Sequence, residues 1–123
     1  MIAIDARAVA QQITGIGQYV QLLLQQAYEV WPDQQLLVVT SPSCEDMFSQ
    51  TWRSHTRWIW RELPISAAGI WQIRTLGRLL GELDVTVYHT PDCTCLPRGR
   101  WKNVMTIHDA IPMVNPHGIP FRA

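Results

Sequence analysis

A histidine–aspartate pair, His108-Asp109, follows the apolar run 104–107 near the end of the sequence. Because imidazole titrates close to neutral pH, His108 could donate a hydrogen bond or transfer a proton there. Asp109 could orient the imidazole or bind a hydroxyl group. A structural interpretation stays equally open, in which His108 bonds to backbone at a strand end and Asp109 caps the next turn.

Two glycines, Gly15 and Gly17, precede a segment in which apolar residues recur at helical spacing. Glycines at a helix N-terminus can bring bare backbone N–H groups against a phosphate. The pattern lacks the third glycine of a dinucleotide fingerprint and the Gly-Lys-Ser/Thr of a P-loop, so an ordinary turn is the commoner interpretation. Upstream, Arg7 could neutralise a phosphate, or it could pair with Asp5 or Asp109.

A second polar segment contains His89 and Asp92, which have the same two interpretations as the first pair. Cys93 and Cys95 follow directly, and Cys44 is the remaining cysteine. An odd count does not indicate a disulfide framework, and the C-x-C spacing is not that of a zinc knuckle. We therefore expect free thiols and no metal ion.

Trp71, Arg74 and Arg78 recur at helical spacing within a stretch, residues 51–81, that has a single acidic residue. Such a face could lie on an anionic membrane surface. The commoner arrangement is a solvated helix face on which arginine stems cover the indole ring. The sequence leaves both interpretations open.

These residues need elements to position them, and five short apolar runs predict buried parallel strands. The runs are 2–4, 36–39, 58–60, 85–88 and 104–107. Helical periodicity covers 15–31 and 70–83, and a short helix is expected over 44–50. The residues on the predicted buried faces of the two longer helices are Val20, Leu23, Leu24, Ala27 and Trp31, then Ile70, Ile73, Leu76, Leu80 and Leu83.

Strands that alternate with helices predict an α/β fold, a Rossmann-like parallel sheet with helices on both faces. In such sheets, ligands bind beyond the carboxyl ends of the strands. Three polar clusters, at 5–7, 89–92 and 108–109, should lie at that edge, and Gly15 opens the first helix there. Their convergence is stronger evidence for a site than any one of them alone.

The length and charge of the chain restrict its class. Its 123 residues suffice for one domain, and ten basic against ten acidic residues give no overall field that favours nucleic acid. The N-terminus lacks the basic region of a signal peptide, and the apolar runs are shorter than a membrane span. We expect a cytoplasmic protein, with peripheral contact to the inner membrane face as an alternative.

Four segments, taken in order, resemble the N-terminal domain of family 4 (group 1) retaining glycosyltransferases, many of which are mannosyltransferases. The segments are Ile4-Asp5-Ala6-Arg7, Gly15-Ile16-Gly17-Gln18-Tyr19, residues 84–92 and residues 104–112. Any one of these motifs is common. Their order and spacing make the resemblance specific, and together they cover nearly the whole chain.

The resemblance implies half of a GT-B enzyme, in which two Rossmann-like domains face each other across a cleft. The N-terminal domain mainly binds a glycan or lipid-linked acceptor. The C-terminal domain mainly binds a UDP- or GDP-linked sugar, which is transferred with retention of configuration, usually without a metal. By the same resemblance, Gly15 and Gly17 approach the donor diphosphate and His108 lies beside the reacting sugar. Three further residues are placed at the cleft without a defined role: Arg7, His89 and Asp109.

The chain departs from the family in its acidic residues. The family's second domain holds the donor with a spaced pair of glutamates, and no two glutamates here have that spacing. We therefore interpret residues 1–123 as a single acceptor-side domain, C-terminally truncated, whose donor-binding domain would be supplied in cis or in trans. Alone it is expected to lack turnover. The alternatives are a non-catalytic glycan-binding or subunit-docking module and an inactive gene fragment.

Overall fold

A computed structural model describes residues 1–10, 14–42, 44–64, 69–91, 96–109 and 114 of the chain. Within these ranges, strands alternate with helices in the predicted order. The strands are β1 (Ile2–Asp5), β2 (Leu36–Thr40), β3 (Trp58–Glu62), β4 (Val87–Thr90) and β5 (Lys102–Met105). The helices are α1 (Gly15–Val30), α2 (Gln50–Arg53) and α3 (Gly69–Glu82), with a 3₁₀ turn at Glu45–Met47.

The strands form one parallel sheet in the order β3-β2-β1-β4-β5. The central strand β1 pairs Ile4 with Val38 of β2 on one side and with His89 of β4 on the other. The predicted α/β class, a Rossmann-like parallel sheet with helices, is confirmed. Because the strand order reverses between β1 and β4, the crevice beyond their carboxyl ends is where such folds receive ligands.

Alternate side chains of the buried strands enter two separate cores, one on each face of the sheet. In β1, Ile4 lies in the core beneath α1, whereas Ala3 lies in the core beneath α3. Both faces are therefore covered by a helix, as predicted. The fully buried helix residues in these cores are Val20 and Leu24 of α1 and Leu76 and Leu80 of α3.

The fourth strand starts two residues later than the predicted range 85–88. The backbone N–H of Val85 donates to the carbonyl oxygen of Leu80 at 3.0 Å, and Asp84 has a φ of 49°, so this segment completes the turn that ends α3. His89 and Thr90 were predicted to follow the strand and instead belong to it. Backbone pairing with β1 and β5 outweighs their polar side chains there.

The fifth strand starts two residues earlier than the predicted range 104–107, and its predicted burial is wrong. All four of its residues are exposed, including Val104 and Met105. In the described ranges β5 pairs only with β4, so it is an edge strand that is hydrogen-bonded on one side. An apolar run shows that a strand can be buried. The position of the strand in the sheet decides whether it is buried.

The first turn of α3 is also more exposed than predicted. Leu76 and Leu80 are fully buried, but Ile70 is 69% exposed and Ile73 is 38% exposed. A helix of 14 residues is about 21 Å long, whereas the four residues of β4 span about 13 Å. The helix is therefore longer than the sheet beneath it, and its first turn extends past the core.

The short helix predicted over 44–50 is replaced by two shorter pieces. The 3₁₀ turn Glu45–Met47 comes first, and α2 begins only at Gln50. Ser49 separates them because its Oγ accepts a hydrogen bond from the backbone N–H of Thr51 at 3.2 Å and caps α2.

Candidate functional site

A cluster of polar side chains surrounds the hydroxyl group of Thr106, just beyond the carboxyl end of β5. His89 Nε2 lies 2.8 Å from Thr106 Oγ1, and the hydroxyl oxygen of Tyr19 lies 3.1 Å from the same atom. These residues come from β4, α1 and the segment after β5. Three elements distant in sequence therefore meet through one hydroxyl group at the edge where the fold receives ligands.

His108 joins this cluster through an aromatic contact. Its ring meets the Tyr19 ring edge-on, with centroids 4.9 Å apart and an angle of 77° between the planes. The Tyr19 ring also makes an edge contact with His89, at 6.3 Å and 87°. Tyr19 thus lies between the two histidines, with His108 exposed and His89 half-buried.

The two histidines differ in their electrostatic environment. Burial lowers the pKa of His89 below its ordinary value of 6.5, and the nearby charge of His108 lowers that pKa further. His89 is therefore a neutral imidazole at neutral pH. A neutral ring has one donor and one acceptor nitrogen, so the Thr106 hydroxyl can either donate to Nε2 or accept from it.

The backbone ladder places the hydroxyl group of Thr106 at this point. Its backbone N–H donates to the carbonyl oxygen of Thr90 at 3.1 Å, which extends the pairing of β4 with β5 by one residue. In the same ladder His89 is opposite Val104. Side chains two residues apart share one face of a strand, so Thr106 falls on the His89 side.

The start of α1 lies next to Tyr19, and its two glycines have different surroundings. Thr14 caps the helix, and its Oγ1 accepts a hydrogen bond from the backbone N–H of Gly17 at 3.1 Å. A Cβ atom at Gly17 would lie 3.2 Å from the carbonyl oxygen of Ala8. A Cβ atom at Gly15 would meet nothing within 4 Å. Gly17 therefore packs closely against the backbone at Ala8, and Gly15 is the open position.

The helix end itself is electrostatically suited to an anion. The first turn of α1 contains no acidic residue, so no carboxylate of that turn offsets the partial positive charge of its N–H groups. Thr14 already occupies the N–H of Gly17, which leaves those of Gly15 and Ile16 as the other first-turn donors. Of the two predicted phosphate-binding glycines, Gly15 has open space beside it for a phosphate group. Gly17 instead packs against the backbone at Ala8.

Arg7 lies at the same edge but is buried against an acid. Its Nε donates to Asp5 Oδ1 at 2.8 Å, Nη2 bonds the second carboxylate oxygen, and the Tyr88 hydroxyl donates to Oδ2 at 2.7 Å. The Arg7 side chain is only 5% exposed. The geometry matches the alternative in which Arg7 pairs with Asp5, and the pair fixes the turn that presents Ala8 to Gly17.

The remaining predicted residues are Asp109, Asp92 and the three cysteines. Asp109 is exposed and adjoins His108. Asp92, Cys93 and Cys95 lie outside the described residues. Cys44 is a buried free thiol.

Two further findings on the described residues concern metal binding and membrane spanning. No three His, Cys, Asp or Glu side chains among the described residues come together as ligands for a metal ion. None of the helices in those ranges is long and apolar enough to cross a membrane.

Three residues of this edge did not stand out in the sequence: Tyr19, Thr106 and Tyr88. Each belongs to an apolar or helical pattern, and each uses its hydroxyl group to join elements distant in sequence. Tyr19 follows the two glycines closely, and its position near a helix start was the available signal. Nothing in the spacing of Thr106 indicated that it would face His89.

Comparison of the chain with protein-family models, curated proteins and solved structures finds no match. The glycosyltransferase family therefore stays a hypothesis that rests on the four sequence segments. A function has to be inferred from the groups that the fold brings together at the carboxyl edge of β1, β4 and β5.

Proposed function

We propose that this chain is the acceptor-side half of a retaining glycosyltransferase, which transfers a sugar from a UDP- or GDP-linked donor to a glycan or lipid-linked acceptor. The observation that carries the proposal is the contact of Tyr19 with His108. It joins the glycine-containing start of α1, suited to a diphosphate, to the histidine that the resemblance places beside the reacting sugar. The four sequence segments and the parallel sheet support the same proposal.

In this proposal the donor diphosphate lies against the open N-terminus of α1. Gly15 leaves room there, and no acidic residue of the first turn competes with an anion for its N–H donors. His108 is exposed and can hydrogen-bond a sugar hydroxyl or an oxygen that develops charge during transfer. Tyr19 holds the His108 ring in place, and the Thr106–His89 pair holds Tyr19.

A donor-binding domain is required to complete the site, in cis or in trans. The isolated chain is therefore expected to show no sugar transfer from UDP- or GDP-sugars. Supplying a donor-binding domain encoded next to this reading frame should restore transfer. Turnover by the 123-residue chain alone would contradict the need for a second domain.

The role of His108 is tested in the completed enzyme. His108→Ala should lower the rate of transfer about 100-fold or more, because it removes a hydrogen-bonding group at the developing charge. His55→Ala is the matched control, since His55 contacts Tyr28 and Trp58 and not the candidate site. Near-normal transfer by His108→Ala would remove His108 from the proposed site.

A non-catalytic glycan-binding or docking module is the second candidate, and an inactive fragment the third. Saturable binding of a glycan to the isolated chain, with no transfer after a donor domain is supplied, would favour the binding module. Absence of both binding and transfer would favour the fragment. These outcomes separate the candidates because each predicts a different combination of binding and turnover.

A further inference from the structure

The outward side of α3 and the segment that precedes β5 form a continuous surface, which we call the α3 face. It combines exposed apolar side chains with positive charge and lies on the opposite face of the sheet from α1. The residues that define it are Trp71, Ile73, Arg74, Arg78, Leu96 and Arg98.

The apolar part of the α3 face is concentrated at the start of the helix. Trp71 is 67% exposed, Ile70 next to it is 69% exposed, and Leu96 is 41% exposed. Ile73 and Leu96 line a shared groove with Gly77 of the helix. Large apolar side chains that cluster on a surface mark a site of interaction, whereas isolated ones do not.

The charged part of the α3 face is positive, and no described acid forms an ion pair with it. Arg74, Arg78 and Arg98 are all exposed, and none of them forms a salt bridge with a described residue. The Arg74 guanidinium lies 5.8 Å from the centroid of the Trp71 ring. The nearest acid along the helix, Glu82, is one turn beyond Arg78 at the far end from Trp71.

We propose that the α3 face binds the surface of a membrane that contains anionic lipids. Indole rings prefer the interface between headgroups and acyl chains, and arginines beside them attract lipid phosphate groups. The arginines complement a negative surface, while Ile70 and Trp71 supply the apolar area that enters it. Nucleic acid fits less well, because it offers no apolar phase into which the exposed Ile70 and Trp71 side chains could enter. The inference rests on this surface alone and does not depend on glycosyl transfer.

Co-sedimentation of the 123-residue chain with lipid vesicles tests the inference. Vesicles of equal parts phosphatidylglycerol and phosphatidylcholine should bind the chain at low ionic strength, and pure phosphatidylcholine vesicles should bind it far less. Raising the salt concentration should release the protein, because screening weakens attraction between exposed charges.

Substitutions on the α3 face measure separately how much its charged and its apolar side chains contribute to vesicle binding. Arg74→Gln with Arg78→Gln should weaken binding to the anionic vesicles about 25-fold, since each arginine contributes about fivefold. Trp71→Ser should weaken it about tenfold by removing apolar area. Arg57→Gln is the control for the loss of one positive charge, to be compared with Arg74→Gln or Arg78→Gln alone, because Arg57 is exposed at the opposite edge of the sheet and pairs only loosely with Asp33. All these positions are exposed, and unchanged urea unfolding midpoints verify that the variants fold.

Three results would overturn the inference. The first is no binding to anionic vesicles at low salt. The second is binding that the arginine substitutions leave unchanged. The third is a different occupant: a concentration-dependent dimer that Trp71→Ser dissociates, or single-stranded RNA that competes fully with the vesicles.

Discussion

The rings of Tyr19 and His108 meet edge-on, with their centroids 4.9 Å apart. The same tyrosine places its hydroxyl oxygen 3.1 Å from Thr106 Oγ1. One residue near the start of α1 therefore contacts two residues that follow β5, through two different groups. Because the ring and the hydroxyl can be altered separately, the contribution of each contact can be measured.

Tyr19→Phe removes the hydroxyl group and keeps the ring beside His108. We expect the free energy of unfolding to fall by about 1 kcal/mol, since one partly buried hydrogen bond to Thr106 is lost. Urea unfolding of the 123-residue chain measures the change. Tyr28→Phe is the control, because Tyr28 makes ring contacts and its hydroxyl bonds to no described residue. Equal effects of both substitutions would contradict a specific role for the Tyr19 hydroxyl.

Asp5→Asn removes the negative charge that faces the buried Arg7 guanidinium. We expect a loss of about 3 kcal/mol in unfolding free energy, because removing one charge of a buried ion pair is strongly destabilising. Tyr88→Phe should lose about 1.5 kcal/mol, since it removes one hydrogen bond to the carboxylate. Asp33→Asn is the control, because that side chain is 95% exposed. A stability loss for Asp5→Asn no greater than that of the control would exclude a structural role for the pair.

The two glycines of α1 should respond differently to alanine. Gly15→Ala introduces a Cβ into open space, and alanine favours helix, so stability should stay level or rise. Gly17→Ala brings a Cβ to 3.2 Å from the Ala8 carbonyl oxygen. We expect Gly17→Ala to be about 1 kcal/mol less stable than Gly15→Ala by urea unfolding. The reverse order of stabilities would mean that the backbone at Ala8 shifts at little cost to accommodate the added Cβ.

The lowered pKa of His89 makes stability depend on pH. The unfolded chain binds a proton near the ordinary pKa of 6.5, while the folded chain binds it only at lower pH. In that window the unfolded state holds more protons, so the free energy of unfolding should decrease as the pH falls below 6.5. His89→Gln removes the titration and can keep a hydrogen bond to Thr106.

Urea unfolding of both proteins at a series of pH values checks this expectation. The wild-type chain should lose more stability between neutral and mildly acidic pH than His89→Gln does. Groups that titrate in both proteins cancel in the difference between the two profiles. Parallel profiles would show that His89 binds a proton equally well in the folded and unfolded chains.

The class of the fold could be predicted from the sequence because burial imposes periodic patterns. The apolar runs at 2–4 and 36–39 indicated strands covered on both faces, and both are buried in the sheet. The periodicity of Val20, Leu24 and Ala27 indicated the inner face of α1, and all three are buried, whereas Trp31 at the end of the same pattern is 59% exposed. Local patterns suffice for β1, β2 and α1 because these elements lie in or against the middle of the sheet, where neighbouring elements cover their apolar sides.

The edges of the sheet could not be predicted in the same way. Val104 and Ile70 occur in apolar patterns that resemble the buried ones, yet both are exposed. Val104 is on an edge strand, and Ile70 is on the part of α3 that extends past the core. Strand order and the relative lengths of packed elements decide such exposure, and neither is encoded in a local run of residues.

By itself, the sequence determined the alternation of strands and helices and the edge at which its polar residues collect. Only the tertiary structure decided which of those residues meet. Arg7 pairs with Asp5 inside the protein, while Tyr19 reaches Thr106 and His108 across elements distant in the chain. The physical reason is that burial follows the local periodicity of apolar residues, whereas contacts between side chains depend on strand register and helix placement.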